Sequence, residues 1–417
     1  MHRPCDVVFV SRQRLVGRTN GSSAYLLDLA AAARRAGLAC ILVQPSPSFF
    51  GRMPVLRLTS DMEVFTRHHA RGAVRLGRLL VALDPAVWLS AARGVLARTT
   101  RRAGLNMHWL KDRKAPYSIA VPWTDADRTY GARHVPDGAI VIADYIFQTE
   151  AFASLGRKPR ATATIMHDLF HRRAELVAAT GASDSVVAVS RKDELDLLAR
   201  ADLVIAIQQA EADFVAENLP QQPVMTVPMS FAAIATAQPG EADQILFVGS
   251  NTEPNIAGLK WFCENCWPTI RNALPEATLQ IAGTVATGLA GYGVPAGARL
   301  LGMVADLDPL YSRAGVVISP LTFGSGLKIK LVEAMALGKA IVATSVTLQG
   351  VEEIAGPAVC QADDAAQFAA AVVSLAKDRA LREKLGLKAI AVAEQHFCAT
   401  ATQDQFTAWL LDRCAGR

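Results

Sequence analysis

Between Phe323 and Thr344 the chain reads Phe-Gly-Ser-Gly-Leu-Lys-Ile-Lys-Leu-Val-Glu-Ala-Met-Ala-Leu-Gly-Lys-Ala-Ile-Val-Ala-Thr. This pattern predicts a glycine-rich loop, a short helix, a stop at Gly338 and a buried strand. Gly324 and Gly326, on either side of Ser325, lack a Cβ, so the backbone can bend there and approach a ligand closely. After Leu327 the first helical turn offers unpaired N–H groups at the positive end of its dipole, which suits a phosphate. Lys328 and Lys330 add cationic charge at that point. Glu333, deeper in the helix, is an acceptor without a donor and suits a pair of sugar hydroxyls. A phosphate at the loop and hydroxyls at the carboxylate together describe a nucleotide diphosphate-sugar.

Further polar residues stand at the ends of apolar runs. Ala161–Met166 ends in His167 and Asp168, Ala139–Ala143 in Asp144 and Tyr145, and Ile245–Val248 in Gly249, Ser250 and Asn251. The carboxyl ends of parallel strands border the crevice in which α/β domains bind ligands, so His167 and Asp168 are candidate catalytic residues. After Val7–Val10 comes a polar loop carrying Thr19, Asn20 and Gly21. It reads either as a wall of the cleft or as a plain βα connection with Asn20 or Ser22 as N-cap.

The elements that must hold these residues follow from punctuation and apolar periodicity. A strand at Val7–Val10, an alanine-rich helix over Ser22–Arg35 and a strand at Ala39–Val43 open the chain as a βαβ unit. Val/Ile/Leu-rich runs alternating with helices argue for parallel sheets covered on both faces. A chain of 417 residues exceeds one ordinary core and suits two domains. The Pro/Gly/Ala stretch Ala232–Asp243 suits a linker between them.

The segment 323–344 resembles the donor-binding signature of glycosyltransferase family 4. So do Ile245–Ser250 with Glu253-Pro-Asn255 and Trp261-Phe262, the strand Leu279–Gly283, and Leu300–Val304 with Leu310-Tyr311. The resemblance spans about 243–395 and is looser in the N-terminal half. It implies an α/β GT-B architecture of two facing Rossmann-like domains. Residues 1–235 would bind the acceptor, residues 236–395 the donor, and 396–417 would form a helix crossing back to the first domain. It further implies transfer of a sugar to an acceptor hydroxyl with retention, His167 orienting the sugar, Glu333 on the ribose, and Gln349–Glu352 as a turn against the cleft. Many members carry a glutamate where Ser325 stands. The family's phosphate-clamping arginine has no match either, Ser250 and Asn251 occupying that stretch. No Asp-x-Asp pair is assigned as a metal clamp, so no metal or cofactor is expected beyond the sugar donor.

Composition bounds the partners. Half of the residues are hydrophobic (51%) and 19% are charged, which excludes global disorder. The net charge of +5 admits anionic substrates or surfaces without requiring either. Residues 61–114 concentrate arginines, among them Arg75, Arg78, Arg93 and Arg98, between apolar residues such as Val74, Leu79, Trp88 and Val95. This reads as a basic helical excursion, either solvated or lying on an anionic membrane. No stacking platform accompanies the charge, which argues against nucleic acid. Seven scattered cysteines read as reduced, buried thiols, with Cys263 and Cys266 inside a helical pattern rather than at a metal. The first residues form a strand without a cleavage site, and no run reaches about 18 apolar residues, so a cytoplasmic protein is expected, with possible peripheral attachment to the inner face of the membrane.

The reading is a sugar transferase for polysaccharide or glycoconjugate assembly, acting on a glycan or lipid-linked acceptor. A non-catalytic GT-B protein that binds nucleotide-sugar or glycan is the alternative. A dehydrogenase is disfavoured, because no Gly-x-Gly-x-x-Gly follows the first strand and no acidic residue ends the second at Val43-Gln44.

Overall fold

The structure is a computed structural model of the chain, and it describes residues 6–103, 118–155, 159–179, 188–304, 306–324 and 328–416. Three sheets organise it. The strands of the N-terminal half are β1 (Asp6–Val10), β2 (Ala39–Gln44), β3 (Val55–Arg57), β4 (Arg67–Ala70), β5 (Ala73–Leu76), β6 (Leu79–Ala82), β7 (Ile140–Asp144), β8 (Ala161–Met166), β9 (Leu203–Ala206) and β10 (Val224–Thr226). Seven of them form one parallel sheet in the order β10-β9-β8-β7-β1-β2-β4. The C-terminal half contributes β11 (Glu241–Val248), β12 (Thr278–Ala282), β13 (Ala298–Gly302), β14 (Ala314–Ser319), β15 (Ile341–Ala343) and β16 (Cys360–Gln361). These form a second parallel sheet, ordered β13-β12-β11-β14-β15-β16.

Both orders are doubly wound. In each sheet the chain starts in the middle, builds outward to one side, then returns and builds to the other. The reversal falls between β1 and β7 in the first sheet and between β11 and β14 in the second. At such a point the loops above the strands diverge and leave a crevice. The strands there are largely apolar, with β7 and β8 buried along their whole length, as sheets covered on both faces require. This is the α/β pair of Rossmann-like domains expected from the sequence.

Each half has its own core. Phe9, Tyr25, Leu42, Ile142 and Phe49 belong to the largest N-terminal cluster, while Phe247, Phe262, Trp267, Ile318 and Phe368 belong to a C-terminal one. The helix Ala399–Ala415 joins the first of these, burying Phe406 and Leu410 in the N-terminal core. The chain therefore crosses between the halves twice, and the Phe231 amide donates to the Phe397 carbonyl where the two crossings pass.

Two readings of the sequence are corrected. The helical excursion expected over 61–114 starts only at Pro85. Before it, β4 joins the large sheet, and β6 pairs with both β3 and β5 in a small antiparallel sheet. Positive φ at Gly72 (69°) and Gly77 (60°) marks the turns that separate these strands. The apolar residues of 73–82 thus follow a period of two, which the neighbouring helical spacing obscured. Second, the thiols are not uniformly free, for Cys414 is disulfide-bonded. Cys263 and Cys266 are buried in a single π-helical turn, Phe262–Cys266, and burial pushes both thiols up to about 12.

The stretch expected to act as a linker is clamped rather than loose. Lys339 is fully buried and donates through Nζ to the Gln238 carbonyl at 2.5 Å. Arg382 donates through Nε to the Pro239 carbonyl at 2.8 Å. Burial, reinforced by Arg382, pulls the Lys339 ammonium from its ordinary 10.5 down to about 8. The unfolded chain then holds more protons than the folded one between those values, so Lys339 destabilises the fold below about pH 8 and less as pH rises. Against Lys339→Met, the wild type should gain up to about 3 kcal/mol of relative stability as pH rises from about 8 to 10.5. Urea denaturation of both proteins across that range measures it, and a constant gap means that the ammonium is not desolvated.

Candidate active site

The N-terminal wall grows from the reversal point of the first sheet. Asp144, the last residue of β7, is fully buried, so its charge demands partners. Oδ2 accepts from Ser11 Oγ at 2.5 Å and from Gln13 Nε2 at 2.7 Å, both in the loop after β1. Oδ1 lies 2.8 Å from His167 Nε2, at the end of β8. With Nε2 committed to Asp144, a hydrogen bond from His167 to a ligand falls to Nδ1.

The residue after Asp144 locks the ring from one side. Tyr145 adopts φ 77° and ψ 149°, a region that side chains other than glycine rarely enter. That turn lays the Tyr145 ring on His167, with centroids 3.9 Å apart and planes at 31°, while Tyr25 meets the imidazole edge-on at 5.8 Å. Such a conformation costs on the order of 1–3 kcal/mol and persists where the surroundings enforce it, commonly at functional sites.

The other residue proposed for catalysis is Asp168. It accepts from the Leu169 amide at 2.9 Å and pairs with Arg173 at 3.2 Å, ahead of the helix Phe170–Ala179.

The loop of Thr19, Asn20 and Gly21 fits both of its readings. Asn20 is the N-cap of Gly21–Arg35, in a capping box with Ser23. A polar chain also ties it to the histidine: Ser22 Oγ lies 2.9 Å from Asn20 Oδ1 and 3.2 Å from Gln13 Oε1, and Gln13 reaches Asp144. A Cβ added at Gly21 would stand 2.4 Å from Cδ1 of Ile329, the residue after Lys328. The two halves therefore touch here, and Ile329 packs against the N-terminal core.

The opposite wall follows β14. Gly324 has φ 140°, and an added Cβ would lie 3.5 Å from Pro254, so the loop after β14 rests on the loop after β11. Gly249, Ser250 and Asn251 form the latter. The Asn255 side chain holds the Ser250 carbonyl at 2.9 Å, and the Asn251 amide donates to Thr284 Oγ1 at 2.9 Å. Ser325, Gly326 and Leu327 lie outside the described residues. Lys328 is the N-cap of the helix Ile329–Ala336. Within that helix Lys330 and Glu333 form an ion pair one turn apart, with Glu333 half-buried. The Tyr311 hydroxyl is buried without a partner, and burial, reinforced by Glu333, holds its pKa well above the ordinary value.

Between the walls lies a charge cluster that the sequence did not announce. Burial pulls Lys328 down to about 8, against the opposing pull of Asp168, Glu211 and Glu352. Glu211, fully buried at the start of Gln209–Asn218, is pushed up to about 8 by burial and by Asp168, although the Ile207 amide donates to it at 3.0 Å. Its Oε1 has no partner. A second crossing contact sets Gln208 against Gly350 of the turn Gln349–Glu352, where an added Cβ would meet Gln208 Oε1 at 2.9 Å.

Two Asp-x-Asp spacings occur, Asp125-Ala-Asp127 and Asp306-Leu-Asp308. Asp127 is buried in a capping box and pairs with Arg71 and Arg12. Asp306 accepts from the Asp308 amide.

Ser11, Gln13 and Glu211 are residues that the sequence reading did not single out, and Asp144 was noted only as a polar residue at a strand end. The signal for Ser11, Gln13 and Asp144 was the abrupt change from a strand to Ser-Arg-Gln and to Asp-Tyr at adjacent strand ends. Glu211 carried the weaker signature of a helix start.

Comparison with known proteins agrees with this geometry. Residues 242–378 match the family model described as Glycosyl transferases group 1. The whole fold is GT-B. Sucrose-phosphate synthase from Thermosynechococcus elongatus superposes with a TM-score of 0.61 at 15% identity, covering 99% of this chain and 100% of that one. Anabaena HepE in complex with UDP and glucose gives 0.59 at 14% identity, covering 97% and 99%. S. aureus TarM gives 0.56 at 14% identity, but the match covers 68% of this chain and only 59% of TarM. Among curated proteins, an uncharacterized 44.6 kDa protein in the cps region of Klebsiella pneumoniae is 24% identical over 163 residues, 37% of this chain and 42% of that protein.

The Asp144–His167 contact can be tested by a double-mutant cycle. Asp144→Asn, His167→Gln and the double variant should show a coupling energy of about 0.5–3 kcal/mol in urea denaturation, as for neighbours in one hydrogen-bonded network. Additive losses mean that the two side chains do not interact.

Proposed function

We propose that the protein transfers a sugar from a nucleotide diphosphate-sugar to a hydroxyl of a glycan or lipid-linked acceptor, in the assembly of a polysaccharide or glycoconjugate. The observation that carries this reading is Lys328, following the strand at the reversal point of the second sheet, with Asp168 and Glu211 of the N-terminal half among its charged neighbours, Asp168 being the residue after His167. The group 1 match over 242–378 supports it. So do the UDP and glucose bound to HepE and the cps region of the Klebsiella relative.

In this reading the diphosphate lies over the N-terminus of Ile329–Ala336. The unpaired amides of that turn, Lys328 and Lys330 meet the charge that grows as the bond from sugar C1 to phosphate oxygen breaks. The electron pair of that bond leaves with the diphosphate. The acceptor oxygen bonds to C1, and its proton passes to the departing phosphate oxygen, on the same face, so that configuration is retained. No metal is needed where lysines and helix amides neutralise the leaving group. His167, fixed by Asp144 and Tyr145, orients the sugar through a hydrogen bond, and Glu333 accepts from the ribose. We place the reaction in the cytoplasm, where nucleotide-sugars are made.

Without donor, Lys330 and Glu333 satisfy one another. Donor binding replaces that pair with two charge-assisted contacts, ammonium to phosphate and hydroxyl to carboxylate. Lys330→Ala and Glu333→Ala should each weaken nucleoside diphosphate binding by about 10- to 100-fold, the value of one hydrogen bond to a charged group. Titration calorimetry over a panel of diphosphates and their sugars measures this, and unchanged affinity in both variants refutes the site.

A further inference from the structure

We infer that the small sheet and the helix Pro85–Arg102 form a docking face for an anionic lipid bilayer. The three-stranded sheet, ordered β3-β6-β5, turns Leu56, Leu80 and Ala82 inward, where they are buried in the N-terminal core. By the pairing register, Val74, Leu76, Leu79 and Val55 share its other face. All four are exposed, Leu76 by 61%. Among the described residues the sheet has no second layer over that side.

The helix repeats the arrangement. Its described buried positions are Val87 and Ala97, while Trp88, Leu89, Val95 and Leu96 are exposed, Leu89 by 54% and Val95 by 53%. Residues spaced i, i+1, i+7 and i+8 form one stripe on a helix, so the apolar stripe points away from the protein rather than into it. At about 100° per residue Arg93 stands on one edge of the stripe and Arg98 on the other. Trp88 Nε1 donates to the Ala82 carbonyl at 2.9 Å, which joins the helix to β6 and brings the two apolar surfaces together, with exposed Leu83 at the junction.

Charge decides the occupant. The helix contains no Asp or Glu, and Arg57, Arg93 and Arg98 form no ion pair with a carboxylate among the described residues. A second copy seated symmetrically would set arginines against arginines, which costs affinity. Apolar side chains with tryptophan, edged by guanidiniums that no carboxylate neutralises, instead match a bilayer surface whose acyl boundary takes the stripe and whose phosphates take the arginines. The face also adjoins the cleft. The Thr59 amide, just after β3, donates to the Val16 carbonyl at 2.8 Å, and Val16 leads into the Thr19–Gly21 loop. A protein docked this way would hold its acceptor wall beside the membrane. No helix among the described residues is long and apolar enough to cross one.

The test is sedimentation of the full-length protein with phosphatidylcholine vesicles, with and without phosphatidylglycerol. The protein should pellet with the anionic vesicles only and be released by salt. Arg93→Gln with Arg98→Gln should lower partitioning about tenfold or more, as should Leu76→Ser with Leu89→Ser. Equal recovery with both lipids, or none with either, overturns the inference. So does light scattering that shows a dimer abolished by the leucine changes, which would make the face a self-association surface. If a variant fails to fold by circular dichroism, the wild-type comparison of the two lipids still decides. No sugar donor is involved, so this result and the transfer reading stand or fall separately.

Discussion

A buried carboxylate cannot be left without donors, and in this protein that demand falls on Asp144. It is met from three directions: Ser11 and Gln13 after one strand, and His167 after another. The ends of β1, β7 and β8 are thereby tied to a single point, and Tyr145 is driven into a backbone conformation that caps the imidazole. Through Gln13 and Ser22 the same network reaches Asn20, the N-cap of the first helix. The N-terminal wall of the cleft is thus one connected polar structure set in an apolar sheet.

The second wall faces it across an unusual electrostatic junction. Lys328 is starved of water and surrounded by carboxylates, while Glu211 is buried beside Asp168 and titrates near 8. Neither group sits in comfortable surroundings when the site holds no anion. The linker is held by Lys339 and Arg382, and upstream the Phe231 amide donates to the Phe397 carbonyl.

Much of this was legible in the sequence, and for specific reasons. Parallel strands buried on both faces must be runs of Val, Ile, Leu and Ala, so both sheets could be read from such runs. The donor segment was legible because Gly324, Lys328, Lys330 and Glu333 lie within three helical turns of one another, so their spacing alone brings bend, cation and carboxylate together. The small sheet was misread because Val74, Leu76, Leu79 and Leu80 satisfy either period over so short a span, and only the turns at Gly72 and Gly77 separate them. The structure pairs His167 with Asp144 and Asp168 with Arg173. Neighbours in sequence at a strand end point to opposite sides, and the partner of the histidine came from the adjacent strand.

Local chemistry in the chain determined that two Rossmann-like halves exist and that one carries a glycine loop leading into a helix with Lys328, Lys330 and Glu333, because those features rest on contiguous residues. Tertiary structure alone decided which polar groups meet. Asp144 and His167 are 23 residues apart, Ser11 and Asp144 are 133 apart, and Lys328 faces Asp168 from the other domain. Strand order and the closeness of the two walls set those distances, and neither is written in any single stretch of residues.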